Sequence, residues 1–228
     1  MINYLEFFEN TSSPPKSRIR ATTGARLEFQ HKSLYTTLNG YFQFGQNAQG
    51  KSIKAYYLQP EIKFQVSKNT IRLGAEIISG SRFQQPTNQS GSFDIRYGVA
   101  WKFMGNMNIF TRFPDDLKDR GLINPYCFVI VPFTKRVALR SDVHLFYLQY
   151  FLQNVKDPAS DKFLGFENDL SIKYNATKNI ELNCGFSYFL SKPTVSKLPK
   201  IIDADKIAIW SYLMVSYSIN AVNIKKPK

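Results

Sequence analysis

A chain of 228 residues with 43% hydrophobic and 21% charged content has room for one β-domain or one modest barrel and is too apolar for wholesale disorder. Its formal charge of +13 is dispersed. With no Lys/Arg block, zinc-ligand spacing or RNP-like string, the excess points to solvated loops and to anionic lipopolysaccharide or solutes rather than nucleic acid. No apolar run approaches the roughly 18 residues that a spanning helix needs. The mean hydropathy of −0.28 still leaves room for a chain that crosses a membrane as strands, because only every second residue of such a strand faces lipid.

Residues 1–16 show no basic start, apolar stretch or cleavage site, and read as an irregular N-terminal segment. An exported barrel needs such a signal, so the chain is expected to be the C-terminal portion of a longer protein. From Arg18 onward the dominant signal is alternation at period two, which sends successive side chains to opposite faces of a strand. Over Arg18 to Gln30, Ile19, Ala21, Thr23, Ala25, Leu27 and Phe29 form one face, and Arg18, Arg20, Thr22, Gly24, Arg26, Glu28 and Gln30 the other. Leu34 to Phe44 is a less regular strand. Lys54 to Val66 sets Tyr56, Leu58, Ile62, Phe64 and Val66 against Tyr57, Gln59, Glu61, Lys63 and Gln65; Pro60 within it lacks a ladder donor and favours an edge or a bulge.

Ile71 to Ile77 opposes Leu73, Ala75 and Ile77 to Arg72, Gly74 and Glu76, and Ile95 to Phe103 opposes Tyr97, Val99 and Trp101 to Arg96, Gly98 and Lys102. Met104 to Leu122, with Pro114 and acidic Asp115, Asp116 and Asp119, reads as a surface loop, with folding into a lumen as the alternative. Tyr126 to Phe133 is an apolar strand candidate. Val137 to Tyr147, Phe166 to Tyr174 and Ile180 to Leu190 resume the alternation, Ile207 to Ile219 carries it less cleanly, and residues 220–228 form a tail. Short connections (Ser67 to Thr70, Ala176 to Asn179) broadly alternate with long polar ones (Gly45 to Ser52, Ser79 to Ser92, Gln153 to Lys162, Ser191 to Asp205).

About ten strands, several of 9 to 11 residues, exceed the usual globular length and match a tilted membrane strand. Their polar faces carry charges of both signs. The expected fold is therefore all-β: an antiparallel transmembrane β-barrel over residues 17–219, or the C-terminal part of one, in preference to a soluble sandwich. Cys127 and Cys184 read as packed thiols rather than a disulfide.

The strings LGAEIISGSR (Leu73 to Arg82), WKFMGNMNIF (Trp101 to Phe110) and AIWSYLMVSYS (Ala208 to Ser218) resemble the C-terminal half of the alginate export family, most closely its Bacteroidetes-type members. The similarity covers most of residues 17 to 218. It implies a monomeric outer-membrane barrel that needs no cofactor and passes anionic polysaccharide or other polar solutes through an arginine-lined pore. The chain is too short for the eighteen strands of that family and lacks its N-terminal half.

Arg18, Arg20, Arg26, Arg72, Arg96 and Arg140 are the residues expected to line the pore, since a guanidinium stays charged and grips carboxylates with a planar fork. The alternative for each is cross-lumen ion pairing. The assumed inward faces hold those arginines with Lys63, Lys102 and Lys173, against Glu28, Glu61, Glu76, Asp142, Glu167, Asp169 and Glu181. That balance fits a charged, wet lumen. His144 shares a face with Asp142, but G-x-S-x-G is absent and no serine nucleophile motif accompanies it, so a barrel hydrolase ranks last. The acidic residues 115, 116 and 119 lack EF-hand spacing. A non-conducting β-sheet binding or structural protein is the other reading.

Overall fold

In a computed structural model of the chain, the structure describes residues 2–9, 16–95, 104–152, 162–199, 203–204 and 206–219. Ten long strands run in chain order: β1 (Ile2–Glu9), β2 (Ser17–His31), β3 (Leu34–Gln46), β4 (Ser52–Val66), β5 (Asn69–Ile78), β7 (Leu122–Pro132), β8 (Val137–Leu148), β9 (Phe163–Asn175), β10 (Ile180–Ser191) and β11 (Ala208–Tyr217). A two-residue strand, β6 (Gln89–Ser90), lies between β5 and β7 in sequence and pairs in parallel with the start of β4. Each long strand pairs antiparallel with its sequence neighbour in one sheet, which leaves β1 and β11 as unjoined edges. The fold is all-β, and the open sheet has the form of part of a barrel.

Nine of the strands lie within two or three residues of the positions that alternation marks at most of their ends. The exceptions are instructive. Residues 1–16, expected to be irregular, carry strand β1; Tyr4, Leu5, Phe7 and Phe8 make both of its faces partly apolar, so period two was faint there. The strand expected over Ile95 to Phe103 lies almost entirely outside the described residues, and its one described residue, Ile95, is not in a strand.

Turns of two to four residues (32–33, 67–68, 133–136 and 176–179) join the strands at one end of the sheet, and the longer segments 10–16, 47–51, 79–121, 149–162 and 192–207 join them at the other. Because every long strand crosses the sheet once, both β1 and β11 have their free ends at the short-turn side. Two prolines interrupt the ladder from inside the sheet rather than at an edge. The β4–β5 pairing passes from Leu58↔Ile77 to Glu61↔Gly74, skipping Pro60, and the β7–β8 pairing passes from Ile123↔Tyr147 to Tyr126↔His144, skipping Pro125. A residue without an N–H leaves one ladder open and keeps the other.

The register holds one face together across the sheet: Glu6↔Arg20, Thr37↔Glu61, Arg72↔Phe128, Phe128↔Asp142, Asp142↔Asp169, Asp169↔Ser187 and Ser187↔Trp210 are directly opposed. This inner face contains buried Arg20, Gln43, Gln59, Glu61, Glu76, Asn124, His144 and Glu167. The outer face exposes Leu5, Phe7, Ile19, Leu27, Phe29, Leu38, Phe42, Leu58, Ile62, Leu73, Leu170, Ile172, Phe186 and Leu213. Polarity is thus inverted relative to a soluble sandwich: the charges are covered and the hydrocarbon is bare. Cys127 and Cys184 are both free and occupy outer-face positions.

An inner-face apolar core lies toward the long-loop end. Residues 104–121, expected to be a surface loop, fold onto the inner face, where Met104, Phe110, Phe113 and Leu117, with Phe93, pack with Ile53, Ile78, Leu122, Phe146, Leu148, Leu164 and Phe189. Phe110 meets Phe146 and Phe189 edge-on, with centroids 5.4 and 6.5 Å away. The physical reason is that the strands lose their alternation near these ends. Ile77-Ile78, Leu145 to Leu148 and Tyr188 to Leu190 are apolar on both faces, so the inner face there needs an apolar cover.

Three cross-strand pairs on the inner face set a tyrosine over a glycine: Gly24↔Tyr41, Gly74↔Tyr126 and Gly185↔Tyr212. A Cβ on Gly74 would stand 2.4 Å from the Tyr126 hydroxyl oxygen, and one on Gly185 would stand 2.1 Å from the Tyr212 ring. The ring lies across the space a side chain would fill, as in aromatic rescue of strand glycines. Gly74→Val should push Tyr126 off the sheet and lower stability by about 1–3 kcal/mol, read as a fall in unfolding midpoint; a midpoint equal to the parent's would contradict this packing.

Candidate functional site

The inner face is where chemistry could occur, and its strands fix each charged group by parity. Of the six arginines expected to line a pore, Arg96 lies outside the described residues; the other five occupy inner-face register positions. Arg20 is almost fully buried. It grips Glu6 through Nε (2.5 Å) and Nη2 (2.8 Å), and Asp94 of the inward-folded segment through Nη1 (2.8 Å). Gln43 fastens the same residue twice, accepting from the Asp94 N–H (3.0 Å) and donating to the Asp94 carbonyl (2.7 Å). Arg20 therefore ties β1 and the folded segment to β2, which is a structural task. Arg18 sits at the long-loop end and donates to the Ala48 carbonyl.

The other three arginines lie nearer the short turns. Arg26 pairs with Glu28 and donates to the Tyr35 hydroxyl at 3.2 Å. Arg72 makes a fork onto Glu61, with Nε at 3.1 Å and Nη2 at 2.6 Å. Arg140 pairs with Asp142 at 2.5 Å. Arg72 and Arg140 both lie over the ring of Phe128, 5.2 and 5.4 Å from its centroid, so one aromatic face serves two cations. Ion pairing, the alternative to a free pore-lining role, is what Arg20, Arg26, Arg72 and Arg140 show, although the Arg26 and Arg140 side chains remain about half exposed at 43% and 45%.

Each of the seven carboxylates that the sequence places on the inner face has a partner. Glu28, Glu61 and Asp142 meet the arginines just named, and Glu181 meets Lys173 at 2.5 Å. Glu61 also accepts from the Tyr126 hydroxyl at 2.9 Å, and Glu76 from the Tyr57 hydroxyl at 2.6 Å. Glu167 and Asp169, two residues apart on β9, accept from the backbone of the folded segment: Met107 N–H to Glu167 at 2.9 Å and Asn106 N–H to Asp169 at 3.0 Å. Sequence periodicity placed these carboxylates correctly, but nothing in it tells that two of them hold a loop.

His144 is buried and hydrogen-bonds through Nδ1 to Asn124 Oδ1 at 3.2 Å, with its ring stacked on Phe146. Asp142 is committed to Arg140, so the Asp–His pair suggested by their shared face is not formed. Asp116 is likewise used locally: its buried carboxylate accepts from the Thr111 and Arg112 N–H groups at 3.0 and 2.8 Å, which closes a turn. Among the described residues no group of three or more His, Cys, Asp and Glu stands together as a metal site.

The folded segment divides the inner face. Near the short turns lie two polar cavities of about 300 and 400 Å³. The first is bordered by Arg140, Asp142, Asp169 and Lys173, the second by Arg26, Glu61, Lys63 and Arg72, and Ile130 lines both. At the long-loop end a cavity of about 620 Å³ is bordered by Arg20, Lys51, Arg82, Asp94, Asp119 and Arg120, among others. Between them stands the apolar core of the folded segment. The arrangement can hold water and small polar or charged solutes at both ends.

The contact of residues 104–121 with β9 depends on the turn at Gly105. That residue has φ of +79°, and a Cβ there would lie 2.1 Å from Glu167 Oε1. Both backbone conformation and space demand glycine. Gly105→Val should break the Met107–Glu167 contact and cost about 2 kcal/mol or more. Faster proteolysis of residues 104–121 would register the release, and a cleavage rate unchanged from the parent would contradict the latch.

Compared with known proteins, the chain matches no family model and no curated protein.

Proposed function

We propose that this chain is the wall of an outer-membrane β-barrel of the alginate export type, with its outer face in lipid and its charged inner face around a water-filled passage for anionic polysaccharide or other polar solutes. The observation that carries the reading is the inverted polarity. More than a dozen large hydrophobic side chains stand bare on the outer face while Arg20, Glu61, Asp142 and Glu167 are covered. Water would oppose that arrangement, and a bilayer rewards it. The strand lengths, short turns at one end and long connections at the other support the same reading. Lipid and the anionic lipopolysaccharide leaflet are then the first partners, and the charge of +13 suits the second.

Residues 104–121 act in this reading as a resident plug. With Met104, Phe110 and Leu117 fully buried, the resting state is closed, and passage requires its displacement. That same dry core is the observation that favours a second reading, a membrane-bound sheet that binds or braces without conducting.

Two measurements separate these readings. Reconstituted into planar bilayers, the parent should give rare conductance steps and Gly105→Val frequent ones; clean preparations of both that stay silent would favour the non-conducting sheet. Leu58→Arg places a charge mid-strand on the outer face and should lower stability in bilayers by about 2–4 kcal/mol. A change near zero would mean that this face meets water and would remove the membrane reading.

A further inference from the structure

We infer that the short-turn rim of the sheet is a docking surface for the phosphates of an anionic phospholipid leaflet. The inference rests on the membrane reading. Each of the four short turns carries an exposed cation: Lys32 in 32–33, Lys68 in 67–68, Lys135 and Arg136 in 133–136, and Lys178 in 176–179. None of these turns holds a carboxylate. The longer connections 79–121, 149–162 and 192–207 mix signs instead, with Asp94, Asp119, Asp161 and Asp203 among their lysines and arginines.

The inner-face arginines Arg20, Arg26, Arg72 and Arg140 are ion-paired, but among the described residues none of the five turn cations meets a carboxylate. The four turns join β2 to β3, β4 to β5, β7 to β8 and β9 to β10, which follow one another along the sheet. Successive turns therefore stand two strand spacings apart, about 10 Å. That is about one Debye length at 0.1 M salt, so their fields add along the rim and the cations repel one another. A film of negative charge laid along the rim would relieve the repulsion.

The neighbours of these cations identify the film as lipid. Phe29, Val66, Phe133 and Tyr174, which are 60%, 53%, 63% and 39% exposed, precede Lys32, Lys68, Lys135 and Lys178 by two to four residues. Phe29, Val66 and Tyr174 are outer-face positions. Hydrocarbon below and a cation above, repeated at every short turn, matches an acyl chain and its phosphate. Lysine and arginine suit the boundary because their stems lie along apolar surface while their charged ends reach the headgroups. An acidic protein segment would call for cations gathered in one patch, whereas these follow the rim turn by turn. Short turns of such barrels face the periplasm, so the leaflet they meet is phospholipid and not lipopolysaccharide. Part of the charge of +13 is thereby assigned to that side.

The test reconstitutes the chain into phosphatidylcholine vesicles with a trace of spin-labelled lipid and reads the immobilised fraction by electron spin resonance. The parent should hold labelled phosphatidylglycerol about fivefold more strongly than labelled phosphatidylcholine, the value of one cation near an anionic surface. Salt at about 1 M, which cuts the Debye length to about 3 Å, should bring the ratio near one. So should the combined variant Lys32→Gln, Lys68→Gln, Lys135→Gln, Arg136→Gln and Lys178→Gln, while Lys54→Gln with Lys192→Gln, exposed at the long-loop end, should keep most of the preference. Equal binding of the two lipids by parent whose strands are protected from protease in the vesicles would overturn the proposal and leave the membrane reading intact. A preference that survives in the turn variant, or falls further in the Lys54–Lys192 variant, would overturn it too. Capture of polyglutamate by a parent that shows no lipid preference would give the rim to an acidic protein instead. Failure to enter vesicles at all would overturn both readings.

Discussion

The structure depends on keeping charge on the covered side of the sheet. Arg20 is the clearest case. Its guanidinium is buried between Glu6 and Asp94, the second held in place by Gln43, and loss of the arginine would leave two covered carboxylates without their counter-ion, which is among the costliest single defects in a fold. Arg72 with Glu61, Arg140 with Asp142 and Lys173 with Glu181 repeat the solution along the short-turn half. Because adjacent strands are locked by register, each of these pairs also fixes which face of its strand points inward; a slip of one residue would expose every charge to the outer side.

That constraint explains why the outer face can be so apolar. With the charged groups paired inward, the outer positions are free to carry Leu, Ile, Phe and Val. The inner face then has two regimes. Toward the short turns it is ionic and contains cavities. Toward the long connections several strands turn apolar on both faces, and residues 104–121 with Phe93 supply the matching apolar cover, anchored by backbone N–H groups on Glu167 and Asp169. Residues 104–121 are thus held by two kinds of force, packing at Phe110 and hydrogen bonds from the Asn106 and Met107 N–H groups.

Most of the fold was legible in the sequence because a period of two needs only the residue types on each strand. Arg18 to Gln30 and Phe166 to Tyr174 alternate cleanly and fold as read. What stayed hidden depends on contacts between residues distant in sequence. Strand β1 was obscured by hydrophobic residues on both of its faces. The inward fold of the loop was obscured because Met104 to Leu122 has no period of its own; its signal lay elsewhere, in the doubled apolar runs at Leu145 to Leu148 and Ile77-Ile78. The arginines were correctly assigned to one face, but periodicity gives a face and not a partner. Whether Arg20 meets solute or Asp94 is decided across 74 residues.

The central claim, that the bare face touches acyl chains while the charged face does not, is tested most directly by spin labels placed one at a time from Phe166 to Tyr174 on β9 in phospholipid vesicles. Accessibility to dissolved oxygen should alternate, high at Phe166, Leu170 and Ile172 and low at Glu167, Asp169 and Ser171. A profile without alternation, or one in which the first set is reached instead by a water-soluble nickel reagent, would contradict it.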